Sequence, residues 1–520
     1  MPLRLVLRGK TIRRHTFNRY VYNIIALHYI ALHCIAPPRT AYIAGCLSNL
    51  SHIIYLQNTA VQEQKDGNLN IKYDYQNRPI ENEADYQIAN PVDGGSGLWY
   101  GESDMWYKLM EKYLQHGYES SLNSQLHHHP LLLVERSYNP PPLRQALLEL
   151  CMEELQMPAV FLGRDATLAC YACGRTTGTV VDIGYSGTTV TPVHEGYVEP
   201  KGIRRLPVGT RHMDDAICNN LDVLWNNKTP TTTPASSLPF VPYYQVQKYK
   251  RRADDIHTLT RLAVAQQCRE EGSGAAVLAV SDPGFTAPSK PFELPDGTIV
   301  DIPANQRFTV PNVVFGQKDD GGVREEELAK LQKLLTTRIQ QADAQDVDND
   351  EDKEYFEQQY SEGASVGLLK RRQDAVKRKT SFSTTWKHLQ KACSPFLQAQ
   401  QQDHLTSSPI PAMICEAAFA CDRDQQASLL GNVVLAGGGA CLGPTESALP
   451  DFVREHTETI IHSHTPGWRV KVLSPNMAER SVCSWLGGSI LGSLGTFHDM
   501  WITKKEYDEW GSAIVNRKCP

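Results

Sequence analysis

The residues best placed to do chemistry in this sequence lie in two glycine turns. The first reads Asp182-Ile183-Gly184-Tyr185-Ser186-Gly187-Thr188-Thr189 and joins two β-rich runs, residues 179–183 and 188–193, into a hairpin. Glycine reaches positive φ at little steric cost, so consecutive backbone N–H groups can converge on an anion. The hydroxyls of Ser186 and Thr188 add donors, and Asp182 at the strand end can hold a metal ion through its water shell. The second turn, Gly437-Gly438-Gly439, follows the apolar run 432–436. A strand, a glycine turn and then a helix N-terminus would present N–H groups to a phosphate or a flat ring. Together the two turns suggest a nucleotide held between two similar halves. Its candidate contacts are Asp182, Gly184, Ser186, Gly187, Thr188, Gly437, Gly438 and Gly439.

Other catalytic templates fail. Gly9-Lys10-Thr11 has the ending of a P-loop, but Arg4 stands where the first glycine belongs. At Gly184-Tyr185-Ser186, Thr188 replaces the final glycine of a nucleophile elbow. The sequence has no His-Glu-x-x-His, and Cys170 and Cys173 have no second pair with which to enclose zinc. Small residues on a buried helix account for those two cysteines. His127-His128-His129 beside Pro130 reads as a polar loop.

The elements that must hold the turns follow from periodicity. Residues 131–134 read as an apolar strand, 143–155 as a helix, 158–162 as a strand, and 166–173 as a helix stopped by Gly174. Residues 292–315 contain the turn Pro295-Asp296-Gly297 between strand-like runs. Residues 104–115, 325–341 and 409–421 read as helices, and Gly487-Gly488-Ser489 as a glycine-rich helix start.

With 520 residues, 41% of them hydrophobic and 21% charged, the chain can bury a large core, which excludes wholesale disorder. The length allows two or three domains, or one large two-lobed unit. A net charge of −6 creates no global basic field, so any DNA contact must be local or made through partners. Thirteen cysteines without framework spacing point to reduced thiols and a cytosolic or nuclear setting. Residues 1–62 contain no Asp or Glu but seven basic residues, and include the apolar stretch 21–36. That stretch is interrupted by Asn23, His28 and His33 and falls short of the roughly 20 residues of a membrane span, so no membrane is expected. An organelle transit peptide or a mis-set start would both explain this segment. Residues 229–242 form a Thr/Pro-rich loop. Within 318–405, the acidic run 346–354 should be solvated. Lys370-Arg371-Arg372 and Lys377-Arg378-Lys379 read as a nuclear-import signal or as a solvated helix face.

Several motifs, in order, resemble those of actins. Cys173-Gly174-Arg175-Thr176-Thr177-Gly178 with the following hairpin and Pro192-Val193-His194-Glu195-Gly196-Tyr197 is similar to their second phosphate motif. Phe292-Glu293-Leu294-Pro295-Asp296-Gly297 with Arg307-Phe308 resembles another signature, and Asn432-Val433-Val434-Leu435-Ala436-Gly437-Gly438 resembles the adenosine motif. Trp485-Leu486-Gly487-Gly488-Ser489-Ile490-Leu491 through Glu506-Tyr507 is similar to the actin C-terminus. The sequence is most similar to the nuclear, fourth subfamily of actin-related proteins, through residues 191–198, Leu494-Gly495-Thr496-Phe497 and the ending Arg517-Lys518-Cys519-Pro520.

The resemblance implies a two-lobed, actin-like α/β fold with ATP and Mg2+ between the lobes. Residues 65–317 and 406–520 would be its two parts, residues 1–64 an atypical basic segment, and residues 318–405 a charged, disordered insertion. It also implies a nuclear subunit of chromatin-remodelling and histone-acetyltransferase complexes. Such a subunit pairs with an actin monomer on a helical segment of a scaffold or remodeller ATPase, and reaches the nucleosome through that complex. A cytoplasmic, cytoskeletal actin-related protein and an active ATPase of the same fold are the alternatives. Actins position the attacking water with a Gln and a His, and those positions fall here on Asp165 and Thr189; a second acidic position falls on Tyr185. Loss of the water-positioning groups argues against efficient hydrolysis, and hence against an enzyme. The usual Pro-Gly is reversed at Gly443-Pro444, and Leu442 replaces an aromatic residue. No counterpart of the first phosphate motif is legible in residues 1–62, which also lack a strand the fold needs.

Overall fold

The computed structural model describes, with side chains, residues 130–228, 257–270, 289–316, 409–443, 446–463 and 467–519. Shorter described stretches lie at 98, 108–112, 114–115, 240–242, 326–337, 339–340 and 465. Elsewhere it describes only the backbone of four early strands and of helix ends at 254–256 and 271–273. The basic clusters at 370–379, the acidic run 346–354 and the histidines 127–129 fall outside the described residues.

In chain order, strands β1 (Ile25–Leu27), β2 (Thr59–Glu63), β3 (Leu69–Lys72) and β4 (Gln87–Ala89) precede β5 (Leu131–Glu135). Helix α1 (Pro141–Glu149) crosses over to β6 (Ala159–Arg164), and α2 (Asp165–Ala172) follows at once. The hairpin β7 (Gly178–Ile183) and β8 (Thr188–His194) continues through β9 (Tyr197–Val198) and β10 (Arg204–Leu206) to α3 (Thr210–Lys228). Next come α4 (Asp254–Gln267), the hairpin β11 (Lys290–Glu293) and β12 (Ile299–Ile302), and α5 (Ala304–Phe315). A helix over residues 326–337 is α6. The last part holds α7 (Pro409–Phe419), α8 (Arg423–Leu430), β13 (Val433–Ala436), α9 (Ala448–His462), β14 (Val472–Leu473), α10 (Cys483–Ser493), β15 (Ile502–Thr503) and α11 (Lys504–Trp510).

Two mixed sheets carry the architecture. One has the order β1-β5-β6-β15, with β1, β5 and β6 parallel and β15 antiparallel to β6. The other has the order β10-β8-β7-β13-β14, where β7, β13 and β14 are parallel and β9 pairs with β8. Strands covered on both faces are expected to be continuously apolar. Leu131-Leu132-Leu133-Val134 and Val433-Val434-Leu435-Ala436 are such runs, and all eight residues are buried. The β1 strand corrects the expectation that the N-terminal segment supplies none, because Ile25–Leu27 pairs with Leu131–Leu133 at the sheet edge.

The close fit of α2 on α10 explains one misread motif. Gly487-Gly488-Ser489 does not start a helix; α10 begins at Cys483 and Gly487 lies inside it. A Cβ at Gly487 would stand 1.8 Å from the Leu168 carbonyl oxygen, so glycine is required by the approach of the two backbones. The leading part of the charged insertion also packs. Leu331 and Leu335 of α6 form a small core with Leu98 and Leu143, with Tyr138 against it. No helix among the described residues is long and apolar enough to cross a membrane.

Candidate functional site

Parallel strands of both sheets end at one place, and the candidate site is built on those carboxyl ends. Arg136 and Ser137 follow β5, Asp165 follows β6, Asp182 sits near the end of β7, and Gly437 follows β13. The register of β13 on β7 sets Ala436 beside Asp182, so the two glycine turns meet. Their fit is close: a Cβ at Gly437 would lie 2.3 Å from Asp182 Oδ1 and 2.5 Å from the Ile183 carbonyl oxygen. Gly437 also has φ +89°, a second reason for glycine there. A Cβ at Gly439 would reach 2.3 Å from Ile183 Cγ2. Gly438 lies buried in a 3-10 turn, Gly438–Cys441. That turn stands where a longer helix N-terminus was expected; the next α-helix starts only at Ala448.

The first turn is tied down by its own backbone. The Gly184 N–H donates to the Gly187 carbonyl at 3.0 Å. The Gly184 and Tyr185 carbonyls accept from Thr210 N and Arg211 N at 3.0 and 3.1 Å, which satisfies N–H groups at the start of α3. The Thr188 hydroxyl donates to the Val208 carbonyl at 3.0 Å, so it faces the protein rather than a ligand. The Ser186 hydroxyl is buried and has no hydrogen-bond partner among the described residues.

Around Asp182 lies a group that sequence reasoning missed. The guanidinium of Arg136 pairs with Asp182 Oδ2 in a short contact and with Asp165 Oδ2 at 3.2 Å. Arg136 is buried, and burial alone would lower its pKa; Asp182 in the first place, then Tyr138 and Asp165, outweigh this and raise it. The Asp165 Oδ1 accepts from Ser137 N at 2.9 Å, from the Ser137 hydroxyl and from Ala166 N at 2.7 Å. Asp165 therefore anchors the loop after β5 to the start of α2, and its carboxylate is fully engaged. Thr189, where the resemblance places a His, lies opposite Asp182 in the β7–β8 ladder and is buried. Tyr185 is buried as well.

A second arginine lies on the other side of the turn. Arg205 of β10 is buried and stands over the Tyr138 ring at 5.1 Å from the ring centroid. Both its terminal nitrogens would lie 3.0 Å from a Cβ at Gly187. Burial pushes the Tyr138 hydroxyl pKa up, against the pull of Arg205 and Arg136.

Three more positioning residues went unread in the sequence. A Cβ at Gly209 would lie 2.3 Å from the Gly184 carbonyl oxygen, so glycine there lets α3 start against the turn. His212 Nδ1 accepts the Gly209 N–H at 3.2 Å. Arg480 is buried and donates to the carbonyls of Pro475, Ala440 and Glu446 at 3.0, 2.9 and 2.6 Å, which shapes the loop after Gly437–Gly439. Gly209 directly before a helix was a usable signal; the arginine–carbonyl contacts had none, because two of the three partners, Ala440 and Glu446, lie on the backbone of a distant loop.

Two mixed sheets, with parallel strands ending at one site where two glycine turns meet, define an α/β protein of the two-lobed actin-like class. The chain belongs to the actin family: the family model described as Actin matches residues 56–520. Among its relatives is "Actin-related protein 4" of Oryza sativa subsp. indica, 26% identical over 469 residues, which covers 86% of this chain and 82% of that protein. Proteins of the same name from Arabidopsis thaliana and Schizosaccharomyces pombe are each 26% identical. The former match covers 80% of this chain and 77% of the relative, the latter 83% and 85%.

Proposed function

We propose that the protein is a non-catalytic actin-related subunit of nuclear chromatin-remodelling or histone-acetyltransferase complexes, holding ATP in its cleft without efficient hydrolysis. One observation carries the non-catalytic part: the side chains at the water-positioning locations are committed elsewhere. The Asp165 carboxylate is engaged by Arg136, Ser137 and the Ala166 N–H, and Thr189 is a short buried side chain with no imidazole. Without a group to orient water, the in-line attack loses the positioning on which phosphoryl transfer depends. The nuclear role is supported by the similarity to proteins named actin-related protein 4 across about four-fifths of the chain. Its partners would be an actin monomer and a helical segment of a scaffold or remodeller ATPase, contacted through buried apolar anchors.

Two measurements test this. Affinity purification of the full chain from nuclear extract should return actin and a remodelling ATPase by mass spectrometry. Recovery only as a monomer, or with cytoplasmic filaments, would refute the nuclear assignment. Steady phosphate release should stay at background. Turnover abolished by Asp182→Ala would establish an ATPase instead.

A further inference from the structure

Arg136 occupies a position that changes what the cleft can bind. It follows β5 of one sheet, yet its guanidinium contacts Asp182 at the end of β7 in the other, with Asp165 as a second partner. A hydrated divalent cation needs a carboxylate whose lone pairs face its water shell. Asp182 offers only half of one: its Oδ2 is engaged by Arg136, and only Oδ1, beside the second glycine turn, remains. A dication brought to the same carboxylate would also meet a buried guanidinium that stays charged at every accessible pH. Mg2+ does not fit this arrangement.

An anion does. Arg136 Nε is a buried donor with no hydrogen-bond partner among the described residues, and the Ser186 hydroxyl in the turn is another. A terminal nitrogen of Arg136 would lie 3.3 Å from a Cβ at Gly184, while Arg205 approaches Gly187 from the other side. Buried polar atoms left without partners cost stability, so one in the turn and one on the arginine beside it call for acceptor oxygens that the described residues do not supply. Resting on the reading of the cleft as a nucleotide site, we infer that Arg136 takes the place of the divalent cation. A nucleoside triphosphate then binds here as the metal-free anion, with phosphate oxygens accepting from Arg136 and Ser186.

The test is calorimetric titration of ATP into the full-length, nucleotide-stripped protein, once in MgCl2 and once in EDTA. The expected dissociation constants agree within about threefold. Binding at least about tenfold tighter with Mg2+ would overturn the inference and leave the nucleotide site standing. Absence of binding in both buffers would overturn the nucleotide site as well. Arg136→Met frees Asp182 and should bind ATP about tenfold more weakly in EDTA, with binding restored by MgCl2. An Arg136→Met protein that binds ATP in EDTA like the parent would refute the assignment. Should that variant fail to fold, Ser186→Ala is expected to weaken binding about fivefold equally in both buffers. No change on that substitution would remove Ser186, and with it the anion site, from the reading.

Discussion

Replacing Arg144 by Ala should be among the most damaging single changes in this protein. Arg144 lies on α1 and pairs with Glu135, the last residue of β5, at 2.6 Å; both side chains are almost fully buried. Its other nitrogens donate to Asn516 Oδ1 at 3.3 Å and to the Cys519 carbonyl, and so hold the C-terminal segment on the first sheet. After the substitution, the hydrogen bond left to Glu135 among the described residues is that of the Asn139 amide, which donates to Oε2 at 2.8 Å, with Arg164 as a more distant charge. Removing one partner of a buried ion pair costs about 3–5 kcal/mol, because a charge is left uncompensated. Loss of the tie to Cys519 adds about 1 kcal/mol. The sum of about 4–6 kcal/mol is a large part of the roughly 5–15 kcal/mol that holds a typical protein folded. Urea titration followed by tryptophan fluorescence should show the midpoint fall accordingly. The double variant Glu135→Gln, Arg144→Met removes both charges and should recover at least about 2 kcal/mol of the loss. A loss below about 1 kcal/mol in the single variant, or no recovery in the double, would refute this account of the pair.

Two further outcomes follow from the site. Gly437→Ala places a Cβ against Asp182 and Ile183 at φ +89° and should cost about 2–4 kcal/mol, read in the same urea titration. It should also abolish ATP binding, since the turns can no longer meet. Burial pushes the His212 pKa below its ordinary value, aided by Arg211 and opposed by Glu327 and Asp215; the neutral ring is the one that accepts the Gly209 N–H. Between the depressed folded value and about 6.5 the unfolded chain binds a proton that the folded chain does not, so stability rises with pH through that window. It is lost as pH falls below 6.5, by at most about 1.4 kcal/mol per pH unit. His212→Gln should flatten that slope; an unchanged slope would exclude His212 as its source.

The strands that carry the site, helices α1, α2 and α7 and both glycine turns were legible because their signals are local; α3, α4 and α9 went unread, and residues 304–315 form a helix where strand-like runs were expected. Continuous apolar runs mark strands covered on both faces, and glycine in a turn marks backbone freedom. Even the misreading at Gly487 is instructive. Glycine there serves a backbone contact with Leu168, more than 300 positions away in sequence, whereas local reasoning can only weigh glycine as a turn or a helix end. Arg480 escaped for the same reason: besides the nearby Pro475 carbonyl, its place is defined by Ala440 and Glu446, more than 30 positions away, and no pattern in the neighbouring residues encodes them.

What the sequence by itself determined is the family, the two glycine turns with the strands that carry them, and that Asp165 and Thr189 stand where the resemblance places a Gln and a His. Those rest on residue types in a fixed order, which motifs record directly. Only the tertiary structure decided how Asp182 is used. By type and position it remained a candidate metal contact, and nothing near it in sequence says otherwise. Folding brings Arg136 from the end of another strand onto its carboxylate, because parallel strands of both sheets end at the same cleft. The charge that Asp182 faces is thus set by the meeting of two sheets, a relation of distance that no spacing along the chain expresses.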